Sequence, residues 1–255
     1  MPWPFGGRRR EDAAPREGLD DYVVLFDERL DARLVVYHAP ESLHAEQYRA
    51  FRTNVRAMNP GDAPRSLLFT SAEPGVGKSV SLANVALALA EFRSIDVCLV
   101  DADIRSGSQS VLFGTPREPG LSDLMLDKLA PSAVLRATAM QNLSVITAGR
   151  PTEGASEVLT SGYMADLLGW LKRRFHYVLV DSPPTLLFAD AAELATLCDG
   201  VILVVALEET QRSDADSALL QLQKAGANVV GSFVTGTTAA QDDAYADASG
   251  GEARD

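Results

Sequence analysis

The chain has 255 residues, 46% apolar and 23% charged, the balance of a globular protein with a large core, which excludes a disordered, collagen-like or disulfide-scaffold chain. Lys and Arg number 23 against 35 Asp and Glu, a formal net charge of -12, so the basic face of a general nucleic-acid binder is missing and no nucleic-acid partner is expected. The two cysteines, Cys98 and Cys198, lie in apolar runs and read as buried thiols in a reducing cytoplasm.

Residues 1–40 read as a flexible N-terminal segment. Its first twenty residues hold three Pro, three Gly and a charge cluster without periodicity. Trp3 and Phe5 beside Arg8-Arg9-Arg10 are a weak signal for an anionic membrane, and a loose tail is the simpler reading. Two short apolar runs, Val23–Phe26 and Leu34–Tyr37, suggest a hairpin or loose strands. Glu41 to Met58 reads as a helix with Ser42 as its cap, stopped by Asn59-Pro60-Gly61. From Ser66 onward, continuous apolar runs alternate with helical stretches: Leu67–Phe69, Val97–Val100, Leu143–Ile146, Val178–Val180, Val201–Val205 and Val229–Val234. Runs of this kind are strands buried on both faces of a parallel sheet. The expected fold is one doubly wound, mostly parallel α/β domain over 41–236, followed by an acidic, aperiodic tail over 237–255. The longest uncharged apolar run, Val201 to Leu207, is about one third of a membrane span. No secretory hydrophobic region follows Met1, which points to the cytoplasm. His38, His44 and His176 lack metal-ligand spacing.

The first strand runs into Ala72-Glu73-Pro74-Gly75-Val76-Gly77-Lys78-Ser79 and then a helix from Val80 to Glu91. This is a Walker A phosphate loop with Ala at the first glycine position. Gly75 and Gly77 let backbone N–H groups turn inward around phosphate oxygens, and the helix adds its positive end. Gly75, Val76, Gly77, Lys78, Ser79 and Val80 form the expected nucleotide cradle, with Lys78 in an open loop. Lys78 supplies a point charge at the β- and γ-phosphates, and Ser79 a hydroxyl for Mg²⁺. Two strand ends carry acids, in Leu99-Val100-Asp101-Ala102-Asp103-Ile104-Arg105 and Val178-Leu179-Val180-Asp181-Ser182-Pro183-Pro184. A carboxylate at the end of a core strand needs a cation or a donor, and Mg²⁺ carried by a nucleotide supplies one.

This sequence of motifs resembles the bacterial tyrosine kinases of capsule and exopolysaccharide synthesis, within the partition-type P-loop ATPases. The resemblance covers roughly residues 41–236 and includes Glu46-Gln47-Tyr48-Arg49-Ala50-Phe51-Arg52-Thr53-Asn54, Gly120-Leu121-Ser122-Asp123-Leu124, Asn142-Leu143 with Ala148-Gly149, and Cys198-Asp199-Gly200. It implies an ATP- and Mg²⁺-dependent protein-tyrosine autokinase. By resemblance Lys78 holds the β/γ-phosphates, Ser79, Asp103 and Asp181 serve the metal, and Asp101 is the candidate base for a tyrosine hydroxyl. Sequence leaves open which of Asp101 and Asp103 takes which role. Glu46, Arg49 and Arg52 would join subunits into a homo-oligomeric ring. The partner implied is a membrane-bound polysaccharide chain-length regulator or activator, which would hold the chain peripherally at the inner membrane.

Partition and division-site ATPases carry a signature lysine five residues before the Walker lysine. Glu73 stands there, and a carboxylate cannot replace a cation beside polyphosphate, which disfavours that mechanism. The tail departs from the kinase pattern too, with Tyr245 alone as phosphoacceptor candidate instead of a tyrosine cluster. Ser106-Gly107-Ser108 follows the acidic strand end in place of Arg-Pro, and Thr235 ends the last strand where nucleotide-binding relatives often place Asn. The rival readings are a non-kinase ATP-binding regulator of polysaccharide assembly and a partition- or localisation-type ATPase.

Overall fold

A computed structural model describes residues 29–61, 63–154, 157, 159 and 162–236. Val23–Phe26 and the tail with Tyr245 lie outside these. In chain order the elements are α1 (Val35–His38), α2 (Leu43–Ala57), β1 (Arg65–Ser71), α3 (Lys78–Ala90), β2 (Val97–Asp101), α4 (Gln109–Leu112), α5 (Leu121–Asp127) and α6 (Pro131–Val134). They continue with β3 (Leu135–Ala137), β4 (Leu143–Ile146), α7 (Gly162–Lys172), β5 (Tyr177–Asp181), α8 (Ala189–Thr196), β6 (Gly200–Ala206), α9 (Arg212–Ala225) and β7 (Val229–Thr235).

Six parallel strands and the antiparallel edge strand β3 form one sheet in the order β3-β4-β2-β5-β1-β6-β7. Each of the six strands expected from Ser66 onward is present. Their apolar runs are continuous because alternate side chains feed two cores. Leu67, Phe69, Leu99, Leu179 and Ile202 enter one core with α3; Leu68, Val100, Val178, Val180 and Leu203 enter the other with α5 and α7. Every residue of α3 from Ser81 to Ala90 is buried, since the helix lies between the sheet and α1 and α2. Its alanines allow that close approach.

Two expectations change here. Leu34–Tyr37 is not a strand: Val35–His38 forms one helical turn. Packed structure also begins before residue 41, because Leu30, Leu34 and Val36 are buried in the α3-side core. Asn84 ties this segment down by accepting from Val36 N (3.1 Å) and donating to the Arg33 carbonyl (2.9 Å). In α2, Ser42 caps as expected, its hydroxyl accepting from Ala45 N at 3.2 Å.

The sequence landmarks away from the loop are packing devices. A Cβ on Gly120 would collide with Gly149 N and the Thr147 carbonyl, and Asp123 caps α5 by accepting from Gly120 N at 2.8 Å. Asn142 donates to the Ala90 and Ile95 carbonyls where α3 ends. Asp199 accepts from Ser66 N (2.7 Å) and Ser66 Oγ (2.9 Å), joining the starts of β1 and β6.

Candidate active site

The phosphate loop links β1 to α3 at the carboxyl ends of the central strands. Gly75 and Gly77 have φ of +84° and +80°, whereas a Cβ on Gly75 would meet nothing within 4 Å. Backbone conformation, not crowding, requires glycine there. Gly77 is the N-cap of α3 and gives it no side-chain cap, so the first N–H groups of the helix face the loop without a side-chain acceptor. From the far side, Thr235 at the end of β7 donates its hydroxyl to the Val76 carbonyl at 2.8 Å. Val76 is buried, while Ser79 and Val80 are half-buried on the first turn of α3.

Lys78 is not in an open loop. It begins α3, is 7% exposed, and its ammonium pairs with Asp181 and reaches Ser79 Oγ at 3.2 Å. Burial follows from register: β5 lies between β1 and β2, with Asp101 opposite Asp181 and Phe69 opposite Asp181. Both aspartates are fully buried. Burial, reinforced by the Asp181 charge, pushes the Asp101 carboxyl well above its ordinary value, although the Gln109 N–H and Lys78 act the other way. Asp103 is nearly buried and accepts from Ser106 N at 3.2 Å. Arg105 turns away, donating to Asp190 at 2.9 Å with its guanidinium 4.1 Å above the Phe188 ring.

The structure therefore gathers Lys78, Asp101 and Asp181 around the loop, with Ser79 touching Lys78. It also adds a residue that no motif indicated. Gln109, fully buried in α4, donates its main-chain N–H to Asp101 Oδ2 (2.9 Å) and its side-chain amide to Asp181 Oδ2 (2.7 Å) and the Ser79 carbonyl (3.1 Å). The available signal was the polar run Ser106–Ser110 directly after the acidic strand end, which carries no Walker pattern.

Glu46, Arg49 and Arg52 sit at the other end of α3, about 20 Å from the loop at 1.5 Å per residue. Arg49 forms a fork on Glu91 (2.6 and 3.0 Å) and pairs with Glu46. Arg52 pairs with the same Glu91, donates to the Ala88 carbonyl at 2.9 Å and lies 4.5 Å over the Phe92 ring. These arginines thus clamp α2 to the end of α3 within one chain.

The cluster fits a nucleotide-borne Mg²⁺. Two fully buried aspartates, Asp101 and Asp181, share the one Lys78 ammonium, and Asp101 Oδ1 and Gln109 Oε1 are buried without a hydrogen-bond partner, so the site is short of positive charge and of donors, both of which a hydrated cation brings. Among the described residues no three His, Cys, Asp or Glu side chains converge as an all-protein metal cage would. A phosphate-loop Mg²⁺ takes most of its oxygens from phosphates and water, so it needs no such cage.

A central strand, a glycine loop on a helix start and acids at neighbouring strand ends define a P-loop nucleoside triphosphatase. A family model agrees: ParA, described as NUBPL iron-transfer P-loop NTPase, matches residues 63–234. Iron ligation finds no support here, because Cys98 lies in β2 and Cys198 in the turn before β6, both buried, and burial pushes both thiols up, Cys198 to about 12. Within this class the chain belongs to the bacterial tyrosine kinases. It is 31% identical over 208 residues to tyrosine-protein kinase YwqD of Bacillus subtilis, covering 82% of this chain and 87% of that one. The kinase domain of Escherichia coli tyrosine kinase ETK superposes with a TM-score of 0.77 at 28% identity, covering 85% of this chain and 84% of that one. The chimerical protein CapA2B2 gives 0.76 at 29% identity, covering 82% and 92%.

Proposed function

We propose that this chain is an ATP- and Mg²⁺-dependent tyrosine autokinase acting in exopolysaccharide or capsule synthesis, with Tyr245 of its tail as phosphoacceptor. The observation that carries the reading is Asp101: a buried carboxyl with raised proton affinity and one oxygen without a partner, two strands from the phosphate loop. That is the character of a general base. On nucleotide binding Lys78 exchanges Asp181 for the β- and γ-phosphates, with Gly75, Val76, Gly77, Ser79 and Val80 cradling them. Ser79, Asp103 and Asp181 would hold the Mg²⁺, which would supply charge neutralisation for the transferring group. Asp101 takes the proton from the tyrosine hydroxyl as its oxygen bonds to the γ-phosphorus and the bond to ADP breaks.

Around this chemistry we place a homo-oligomeric ring and a membrane-bound chain-length regulator that brings the chain to the inner membrane. Among the described residues no helix is long and apolar enough to cross a membrane. Glu46, whose side chain is 60% exposed, is the member of the α2 motif best placed to meet a second subunit.

Intact-mass analysis after incubation with ATP, Mg²⁺ and the regulator's cytoplasmic segment tests the reading. One added phosphate is expected, lost in Tyr245→Phe and in Asp101→Asn. No phosphate on the wild type would refute the kinase and leave the ATP-binding regulator.

A further inference from the structure

We propose that Gln109 is a positioning residue for the metal end of the site, setting the Asp181 carboxylate, the first turn of α3 and Asp101 in one hydrogen-bonded unit. The inference rests on reading the loop as an ATP–Mg²⁺ site and adds to it a residue outside every motif.

A glutamine amide has two N–H donors and one carbonyl acceptor. Both donors of Gln109 are used, on Asp181 Oδ2 at 2.7 Å and the Ser79 carbonyl at 3.1 Å. The main-chain N–H of the same residue holds Asp101 Oδ2 at 2.9 Å. One residue thus touches the second acid motif, the loop serine and the first acid motif, which lie far apart in sequence. The acceptor, Oε1, is buried without a partner. Native proteins rarely leave such an oxygen unsatisfied unless a ligand or water meets it. Here the neighbouring carboxylates repel an anion, so the ligand that fits is a hydrated cation, whose waters are donors.

The arrangement also explains what holds Asp181 once its cation departs. With Lys78 turned to phosphate, Asp181 Oδ1 is released, and a free carboxylate would rotate about its last bond. The Gln109 donor on Oδ2 prevents that and leaves Oδ1 directed toward the loop. An amide serves this role where a carboxylate would not, because a fourth acid would have no donor for Asp181 and would add repulsion.

The test separates positioning from mere packing. ADP binding to the full chain is titrated in Mg²⁺ and in EDTA for wild type, Gln109→Met, Gln109→Asn and Lys78→Met, with Mn²⁺ electron paramagnetic resonance counting bound metal in the presence of ADP. Methionine keeps the volume without donors; asparagine keeps the amide but falls one methylene short of Asp181. In both, the Mg²⁺ enhancement of affinity should fall about tenfold, as for a lost hydrogen bond to a charged group, and bound Mn²⁺ should fall with it. Affinity in EDTA should not change. Equal weakening with and without metal, or a Gln109→Asn protein with wild-type Mg²⁺ enhancement, overturns the proposal. If the methionine variant does not fold, the asparagine variant decides alone. Wild-type ADP affinity in Lys78→Met would instead refute the phosphate-loop reading itself.

Discussion

Replacing Lys78 by Met should cost the nucleotide-free protein much of its stability, in addition to weakening ATP binding. The ammonium is 7% exposed and paired with a carboxylate that is fully buried. Removing one partner of such a pair leaves an uncompensated buried charge, which costs about 3–5 kcal/mol. Methionine preserves most of the stem volume, so little of that loss is packing. For a domain of this size each kcal/mol shifts the midpoint by about 2–4 °C, which gives a drop of roughly 6–20 °C. Adding Asp181→Asn removes the stranded charge while keeping a carbonyl oxygen for the Gln109 amide. The double variant should therefore recover most of the loss, with a coupling of about 3 kcal/mol or more in the cycle. Circular-dichroism melting and urea unfolding of the four proteins without nucleotide measure this. A Lys78→Met midpoint within about 2 °C of wild type would mean that the pair contributes nothing. A double variant no more stable than the single one would show that the loss arises elsewhere.

Asp101→Asn should melt no lower than wild type, since it keeps an acceptor for the Gln109 N–H and removes a buried acid, while transfer to Tyr245 is lost and calorimetry still detects ATP. Asp199→Asn should destabilise at neutral pH and converge on wild type in acid. Burial alone would raise this carboxyl, but the Ser66 N–H and hydroxyl and Lys172 outweigh it and hold it below its ordinary value. Its contribution is therefore present above the unfolded carboxyl range and lost as pH falls through the folded value, which melts from pH 7 to 3 would follow. Thr235→Val should leave the melt nearly unchanged and weaken ADP binding by about 1 kcal/mol, roughly fivefold, because it frees the Val76 carbonyl from its anchor; unchanged calorimetric affinity would argue against that anchor. Glu91→Ala should lower the melting midpoint about as much as Arg49→Ala with Arg52→Ala, since both break the same clamp; a loss confined to the arginine variant would place the stabilisation in the Ala88 carbonyl and Phe92 contacts instead of Glu91.

The parts of this molecule that could be read from sequence are those governed by short-range pattern. Val97–Val100 and Val178–Val180 must be buried strands because nothing polar interrupts them, and the doubly wound order follows from crossover helices of sufficient length. Gly75 and Gly77 declare a left-handed backbone, and Asp101 and Asp181 declare strand ends. The three-residue β3 escaped because Leu135–Ala137 has no period to detect. Its place comes from pairing with β4, a tertiary contact. The run Leu34–Tyr37 is equally compatible with strand and helix at that length; contact with Asn84, 48 residues beyond Val36, accompanies the helical choice.

The side-chain partners show the same limit more sharply. The spacing of Glu46, Arg49 and Arg52 identifies one face of α2, and that face exists. Spacing encodes a face, though, and not its occupant: Glu91, which takes both arginines, is 42 and 39 residues away. Gln109 stands 72 residues from Asp181 and 30 from Ser79, in a stretch whose composition suggests only a loop. Lys78 carries the most recognisable motif of the chain, yet that motif predicts an open-loop lysine, because it describes the residue with phosphate present. Without phosphate the strongest acceptor within reach is Asp181, and a buried ammonium must take it. The same two residues that would divide ATP and Mg²⁺ between them thus neutralise one another in the free protein, and binding has to displace one buried ion pair with another.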